Sequence, residues 1–147
     1  MYLNSKQTNT TMTKDIWINL PVKDVTKARG FFIAIGFKLN EGAGNTETSA
    51  AIKIGSKNSI LMLFEQNFFK NIAGNALTDT SKSTEVLFSF DAESEEEVNE
   101  LAIKVEKAGG KLFSKPAAFQ GWMYGCAFCD LDGHPWNVLH MDFSKIK

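Results

Sequence analysis

The apolar and polar positions along the chain give the same order of elements twice, starting near residues 16 and 85. Each repeat opens with a β-rich run, continues with apolar residues at helical spacing, and ends in short β-rich runs. The apolar helical face comprises Val25, Ala28, Phe32 and Ile35 in the first repeat, and Val98, Leu101, Ala102, Val105 and Ala108 in the second. The pattern therefore predicts two βαβββ modules in one chain.

The helix ends carry capping residues in both modules. Asp24 can accept a hydrogen bond from a free N–H of the first turn, and Gly36 follows the first apolar face. Ser94-x-x-Glu97 is a capping box, and Gly109 follows the second apolar face. The remaining runs predict strands at residues 15–22, 37–39, 50–54, 59–65, 85–91 and 111–113.

Three segments lie outside the predicted modules, which span about residues 15–65 and 84–142 of a single domain. We expect residues 1–14 to form a poorly ordered leader and residues 143–147 a short tail. The connector, residues 66–83, is polar apart from Phe68, Phe69 and Ile72. Its length favours a lid or an interface segment, but a plain linker with one short helix fits equally well.

A hairpin closes the second module. Asp132-Gly133 separates two apolar, aromatic-rich runs, and glycine after aspartate is a strong hairpin indicator because glycine accepts positive φ. Pro135 then has to begin the returning strand, where no ladder N–H is needed. The pattern predicts a tight turn between the last two strands.

Composition excludes several classes of function. The chain has 147 residues, of which 44% are hydrophobic and 22% charged, typical of one soluble globular domain. A net charge of -1 gives no electrostatic reason to expect nucleic acid or an anionic membrane as a partner. The polar beginning lacks the apolar region of a secretory signal. We therefore expect a cytoplasmic protein.

Cys126 and Cys129 form a C-x-x-C within a predicted strand. Residues i and i+3 of a strand face opposite sides and lie about 10 Å apart, beyond the reach of a disulfide. A second cysteine pair, which a zinc site would need, does not occur in the sequence. We predict two small, buried or half-buried thiols.

The closing hairpin resembles that of the vicinal oxygen chelate superfamily in the pattern Asp130-x-Asp132-Gly133-x-x-Trp136. That superfamily includes glyoxalase I, the bleomycin-resistance proteins and the extradiol dioxygenases. The duplicated βαβββ pattern extends the resemblance over about residues 15–142. It implies an α+β glyoxalase-like fold in which two modules form curled mixed sheets around a cleft.

The resemblance also implies four cavity-facing positions that hold the metal in metal-using members. They match Trp17, Met62, Glu85 and Asn137 in this sequence. Indole, thioether and carboxamide cannot replace the imidazole and carboxylate ligands of a divalent ion. Neither His134, in the turn, nor His140, which faces away from the cavity, is predicted to be a ligand. We expect no metal, no cofactor, and neither glyoxalase I nor extradiol dioxygenase activity.

The same implied cleft gives a set of candidate ligand-binding residues. They are Trp17, Asn19, Met62, Phe64, Glu85, Tyr124 and Asn137, with Leu87, Leu139, Cys126 and Phe128 as further candidates. The set is mostly apolar with a few polar groups, as in small-molecule pockets. Glu85 has three interpretations: a poorly solvated general base, an anchor for a cationic ligand with Trp17 as a π face, or a wet strand edge.

Three functional hypotheses follow. The leading one is a metal-free homodimer that binds or sequesters a small amphipathic molecule in an apolar cleft, as the antibiotic-resistance members do. The alternative is an enzyme of the isomerase, epimerase or lyase type that uses Glu85 as a base or a non-standard metal. A structural or regulatory dimer without a ligand is the third.

Overall fold

The computed structural model describes residues 15–146, which form two βαβββ modules joined by a helix-containing connector. The first module comprises β1 (Trp17–Val22), α1 (Val25–Ala34), β2 (Lys38–Leu39), β3 (Ser49–Ile54) and β4 (Ser59–Glu65). The connector begins with α2 (Gln66–Ala73). The second module comprises β5 (Phe88–Asp91), α3 (Glu95–Lys107), β6 (Lys111–Phe119), β7 (Met123–Cys129) and β8 (Pro135–Met141). The predicted leader lies outside the described residues.

The two modules have the same sheet topology. One four-stranded sheet has the order β1-β4-β3-β2, and the other has the order β5-β8-β7-β6. In each sheet the first strand of the module pairs in parallel with the last, and the other pairs are antiparallel. These mixed sheets with their helices confirm the predicted α+β, two-module fold.

Both module helices begin at the predicted caps. The Asp24 carboxylate accepts from the backbone N–H of Lys27 at 2.9 Å. The hydroxyl of Ser94 accepts from the N–H of Glu97 at 3.1 Å, and the Glu97 carboxylate accepts in return from the N–H of Glu93. Both halves of the predicted capping box are therefore formed.

One hydrophobic core joins the two modules. The helix-bearing faces of both sheets contribute to it, and α1 lies between them. The Phe32 ring lies 5.5 Å from Trp136 of β8, and the Phe31 ring lies 6.3 Å from Phe128 of β7. Because both sheets bury the same kind of face against this core, their helix-free faces are turned away from it.

Two strands differ from the predicted ones, and the connector contains a short helix, as one of its two interpretations included. The strand expected from residue 85 begins only at Phe88, so Glu85 belongs to the connector side of β5. The connector starts with a two-turn helix that ends at Gly74 in the left-handed conformation (φ 65°). Strand β6 continues through Pro116, which lies where its pairing with β7 shifts register. Proline is tolerated there because β6 is an edge strand.

No helix in residues 15–146 has the length and apolar character needed to cross a membrane.

Candidate functional site

The β7–β8 turn is organised around the buried carboxylate of Asp130. Its Oδ1 accepts the backbone N–H groups of Asp132 and His134, both at 3.0 Å. Its Oδ2 accepts from the indole N–H of Trp136 at 3.1 Å, and Nδ1 of His134 lies 3.0 Å from the same oxygen. One carboxylate therefore pairs with two backbone N–H groups and with the side chains of His134 and Trp136, which explains the fixed spacing of the turn residues.

The turn also holds the connector and the first module in place. The hydroxyl of Thr80 donates to the carbonyl oxygen of Asp132 at 2.7 Å. The carboxylate of Asp132 accepts from the backbone N–H of Lys23, at the end of β1, at 2.8 Å. The turn therefore contacts all three parts of the chain at one point.

The predicted cleft residues of the first module share the helix-free face of their sheet. Trp17 and Asn19 are exposed there, and Asn19 pairs in register with Met62. A Cβ built on Gly44 would lie 3.6 Å from Cε of Met62, so the β2–β3 loop packs on this face. The ring of Phe64 lies 5.2 Å from Phe68 of α2. The chain's own loop and helix thus cover part of the surface expected to receive a ligand.

The predicted residues of the second module do not all share one face. Asn137 lies on the helix-free face, half-buried, and its carboxamide makes no hydrogen bond to any other described residue, Glu85 included. Tyr124 lies on the opposite face, where its hydroxyl donates to Asn99 of α3 at 2.9 Å. Cys126 and Phe128 share that helix-bearing face and belong to the core. These three residues therefore lie apart from Asn137.

A cavity of about 540 Å³ lies at the seam between the modules. We call it the seam cavity. Its walls are residues 18–21 of β1, Phe69 and Ala73 of α2, connector residues 75–78, 80 and 83–86, Phe88 of β5, and turn residues 133–135. The volume is in the range of small-molecule sites.

The seam cavity brings together two of the predicted site residues, Asn19 and Glu85. Trp17, Met62, Phe64 and Asn137 do not line it. Glu85 supplies the one carboxylate among the described lining residues, and the walls around it are largely apolar. The side chain of Glu85 is exposed, so the residues around it do not provide the desolvation that would suit it to act as a general base.

His134 also lines the seam cavity, although the sequence predicted only a structural or surface position in the turn. Its contact with Asp130 agrees with the structural role, while its place on the cavity wall was missed. The spacing Asp130-x-x-x-His134 could have indicated the contact between these two side chains, because a turn at residues 132–133 folds the imidazole back onto the carboxylate.

The four positions that the resemblance assigns to a metal do not fit one. The indole of Trp17 has no lone pair for a metal, and the thioether of Met62 is a soft ligand. The carboxamide of Asn137 is a weaker ligand than a carboxylate such as that of Glu85. Of the four residues, only Glu85 lines the seam cavity. Within residues 15–146, no three His, Cys, Asp or Glu side chains are close enough to hold an ion.

The two cysteines are free thiols in β7. Burial raises the pKa of Cys126 to about 11. Burial and the neighbouring Asp130 carboxylate also raise the pKa of Cys129. Nucleophilic thiol chemistry needs a lowered pKa, so neither cysteine is suited to it.

No protein-family model and no curated protein matches this chain, whereas many solved structures do. A hypothetical protein from S. aureus is 36% identical over 88% of this chain and 95% of its own, with a TM-score of 0.77. A glyoxalase/bleomycin resistance protein/dioxygenase family enzyme from Burkholderia phytofirmans is 16% identical over 85% and 96%, with a TM-score of 0.73. A fosfomycin resistance protein from Listeria monocytogenes is 18% identical over 92% and 98%, with a TM-score of 0.64.

Proposed function

We propose that this chain, which has the glyoxalase-like fold, is a member of the vicinal oxygen chelate superfamily that binds a small amphipathic molecule without the superfamily's divalent metal. The observation that carries the proposal is the seam cavity, a largely apolar space that both Glu85 and Asn19 line. Pockets with apolar walls and a few polar groups are the usual sites for small organic ligands.

The charge in the cavity supports a cationic ligand. Glu85 is its one carboxylate among the described lining residues, and no lysine or arginine is among them. An ammonium group next to Glu85 gains a charge-assisted hydrogen bond, while its apolar remainder packs against Phe69 and Phe88. Asn19 can donate or accept a further hydrogen bond and so orient the molecule.

A homodimer is part of the proposal. The β1 and β5 edges are unpaired among the described strands. Next to them lie exposed apolar side chains: Ile16, Trp17, Val86 and Leu87 are 79%, 59%, 50% and 49% exposed. Exposed apolar residues on sheet edges favour burial against another chain. A second copy would also enclose Glu85 and the helix-free sheet faces, where Trp17 and Asn137 lie.

A ligand screen tests the binding function. Small organic cations with apolar bodies should raise the unfolding midpoint of the purified protein, since a ligand that prefers the folded state stabilises it. Glu85→Gln should lose this response to cations. Glu47→Gln, a change at an exposed glutamate in the β2–β3 loop, is the matched control and should keep it. If no member of a broad cationic and neutral panel shifts the midpoint, the binding proposal is wrong.

Metal uptake is tested separately by incubating the protein with nickel, zinc, manganese or iron and measuring bound metal by mass spectrometry after buffer exchange. We expect no stoichiometric uptake, because the donor set is unsuited to these ions. Tight stoichiometric binding that Glu85→Ala abolishes would overturn the metal-free proposal and favour the enzymatic alternative.

Oligomeric state is measured by size-exclusion chromatography with light scattering. Trp17→Ser should shift the mass from dimer towards monomer. Ile103→Ser removes an apolar side chain of similar exposure (53%) from α3 and should leave the mass unchanged. A monomer for the unmodified protein would contradict the dimer proposal. The cytoplasmic location stays a prediction.

A further inference from the structure

His134 combines burial with an unused ring nitrogen at the seam cavity. Its side chain is 9% exposed, and its Nδ1 lies 3.0 and 3.1 Å from the two oxygens of Asp130. Nε2 has no hydrogen-bond partner among the described residues. Every fully buried polar side-chain atom among those residues has a partner, so Nε2 is not fully buried. His134 is also one of the residues that line the seam cavity.

Asp130 determines which nitrogen carries the proton. An ionised carboxylate accepts hydrogen bonds and donates none, so the Nδ1 of His134 must be the donor in this pair. In the neutral imidazole, Nε2 is then the acceptor. The orientation is fixed as well, because Asp130 is itself held by the N–H groups of Asp132 and Trp136. His134, a residue of the cavity wall, therefore carries an oriented acceptor in its neutral form.

Glu85 and His134 are two polar groups of the wall with different chemistry. Glu85 offers a carboxylate for a cation, and the neutral form of His134 offers an acceptor nitrogen for an O–H donor. The hydroxyl of Thr80, another group of the wall, already donates to Asp132. The other polar side chains of the wall belong to Asn19, Asn75, Thr78, Ser83 and Thr84. A ligand that satisfies both Glu85 and His134 carries an ammonium group and a hydroxyl on an apolar body.

We propose that the seam cavity takes small hydroxylated amines, such as phenolic or alcoholic arylalkylamines, whose hydroxyl donates to Nε2 of His134. This inference rests on the proposed binding function and adds the class of ligand. His134 acts as a ligand-binding residue with Asp130 as its positioning residue.

Three related probes test the inference by calorimetry on the full chain. Tyramine carries both groups, phenethylamine lacks the hydroxyl, and 4-ethylphenol lacks the amine. Tyramine should bind about tenfold more tightly than phenethylamine, the effect of one hydrogen bond to an otherwise unpaired acceptor. Glu85→Gln should weaken tyramine and phenethylamine and leave 4-ethylphenol unchanged.

Variants at the histidine separate ligand binding from a purely structural role. His134→Asn keeps an N–H donor at the position of Nδ1, and so the contact with Asp130, but removes Nε2. It should lower tyramine affinity to that of phenethylamine without changing phenethylamine itself. His140→Asn is the matched control, because Nδ1 of His140 lies 3.1 Å from the Ala92 carbonyl, away from the seam cavity. It should change neither affinity.

Nuclear magnetic resonance of the unmodified protein gives a second readout that needs no variant. The chain has two histidines, so the imidazole nitrogen signals are few. The Nε2 signal of His134 should move on addition of tyramine and stay in place on addition of phenethylamine.

Equal binding of tyramine and phenethylamine, with no change in His134→Asn and a stationary Nε2 signal, would overturn the inference and leave the proposed function standing. Failure of all three probes while other cations bind would overturn it too. Failure of every cation and neutral compound would refute both.

Discussion

The Asp132 carboxylate accepts a hydrogen bond from the backbone N–H of Lys23 at 2.8 Å, across 109 residues of sequence. Lys23 follows β1 in the first module, and Asp132 lies in the closing turn of the second. The bond therefore ties the two modules at the wall of the seam cavity, where the Thr80 hydroxyl also reaches the Asp132 carbonyl. A turn residue identified for its hairpin role thus has a second, long-range role.

Removing the acceptor at Asp132 should destabilise the protein. Asp132→Ala leaves the exposed Lys23 N–H to bond with water instead, which should cost about 0.5–1.5 kcal/mol of unfolding free energy. Asp132→Asn keeps an acceptor oxygen and should cost less than the alanine variant. Urea unfolding of both variants measures the difference. Equal losses would show that the hydrogen bond to Lys23 contributes nothing.

The charge on Asp132 predicts a pH dependence. Burial raises the pKa of this carboxyl above 3.8, partly opposed by the hydrogen bond from Lys23. The folded state therefore holds the proton at pH values where the unfolded chain releases it. The stability that this proton contributes is fully present below pH 3.8 and is lost as the pH rises through the folded pKa.

Asp132→Asn has no such titration, so its stability relative to the unmodified protein should rise with pH through this window. The measurement is the difference between their unfolding free energies from acidic to neutral pH. A difference that falls with rising pH would contradict the raised pKa.

Gly133 should be intolerant of a side chain for two reasons. Its φ is +83°, and a Cβ there would meet Oγ1 of Thr80 at 2.5 Å. Gly133→Ala should therefore cost more than the roughly 1 kcal/mol of positive φ alone. Gly55→Ala is the control, because Gly55 has φ +71° with nothing within 4 Å of its Cβ. Similar unfolding free energies for the two variants would exclude the contact with Thr80.

The thiols should be slow to react in the folded protein. With a pKa of about 11, Cys126 is almost fully protonated at pH 8 and is also buried. Iodoacetamide labelling followed by mass spectrometry should modify Cys129 before Cys126, and both rapidly in denaturant. Formation of an internal disulfide under mild oxidation would contradict their placement on opposite faces of β7.

Trp136 should be the most sensitive of the tryptophans. It is 2% exposed, contacts aromatic rings of both modules, and donates to Asp130. Trp136→Phe removes the donor and part of the packing and should cost about 1–3 kcal/mol. Trp122→Phe, at a half-buried residue whose ring neighbour Phe143 is exposed, is the control and should cost less. Tryptophan fluorescence during urea unfolding reports both.

Local features of the sequence were sufficient for most of the fold. The caps at Asp24 and Ser94, the turn at Gly133 and the helical faces depend on residues within a few positions of one another. The β5 boundary was wrong because the alternating residues 85–87 have no partner strand among the described residues. Pairing is a tertiary property that alternation alone does not show.

The candidate site depended much more on tertiary structure. The sequence, through strand register, put Trp17, Asn19, Met62 and Phe64 on one face, and they do share it. It could not show that the β2–β3 loop and α2 pack on that face, or that Tyr124 faces α3. Such contacts depend on where the chain returns after a loop.

The sequence by itself determined the duplicated modules, their helix ends and the closing turn, because short-range hydrogen bonds and periodicity produce them. Only the tertiary structure decided that both sheets bury their helix-bearing faces in one core. It also decided that connector and turn enclose a seam cavity beside Glu85 and His134. These residues are 49 positions apart in sequence, and only packing of the connector against the turn brings them to one cavity.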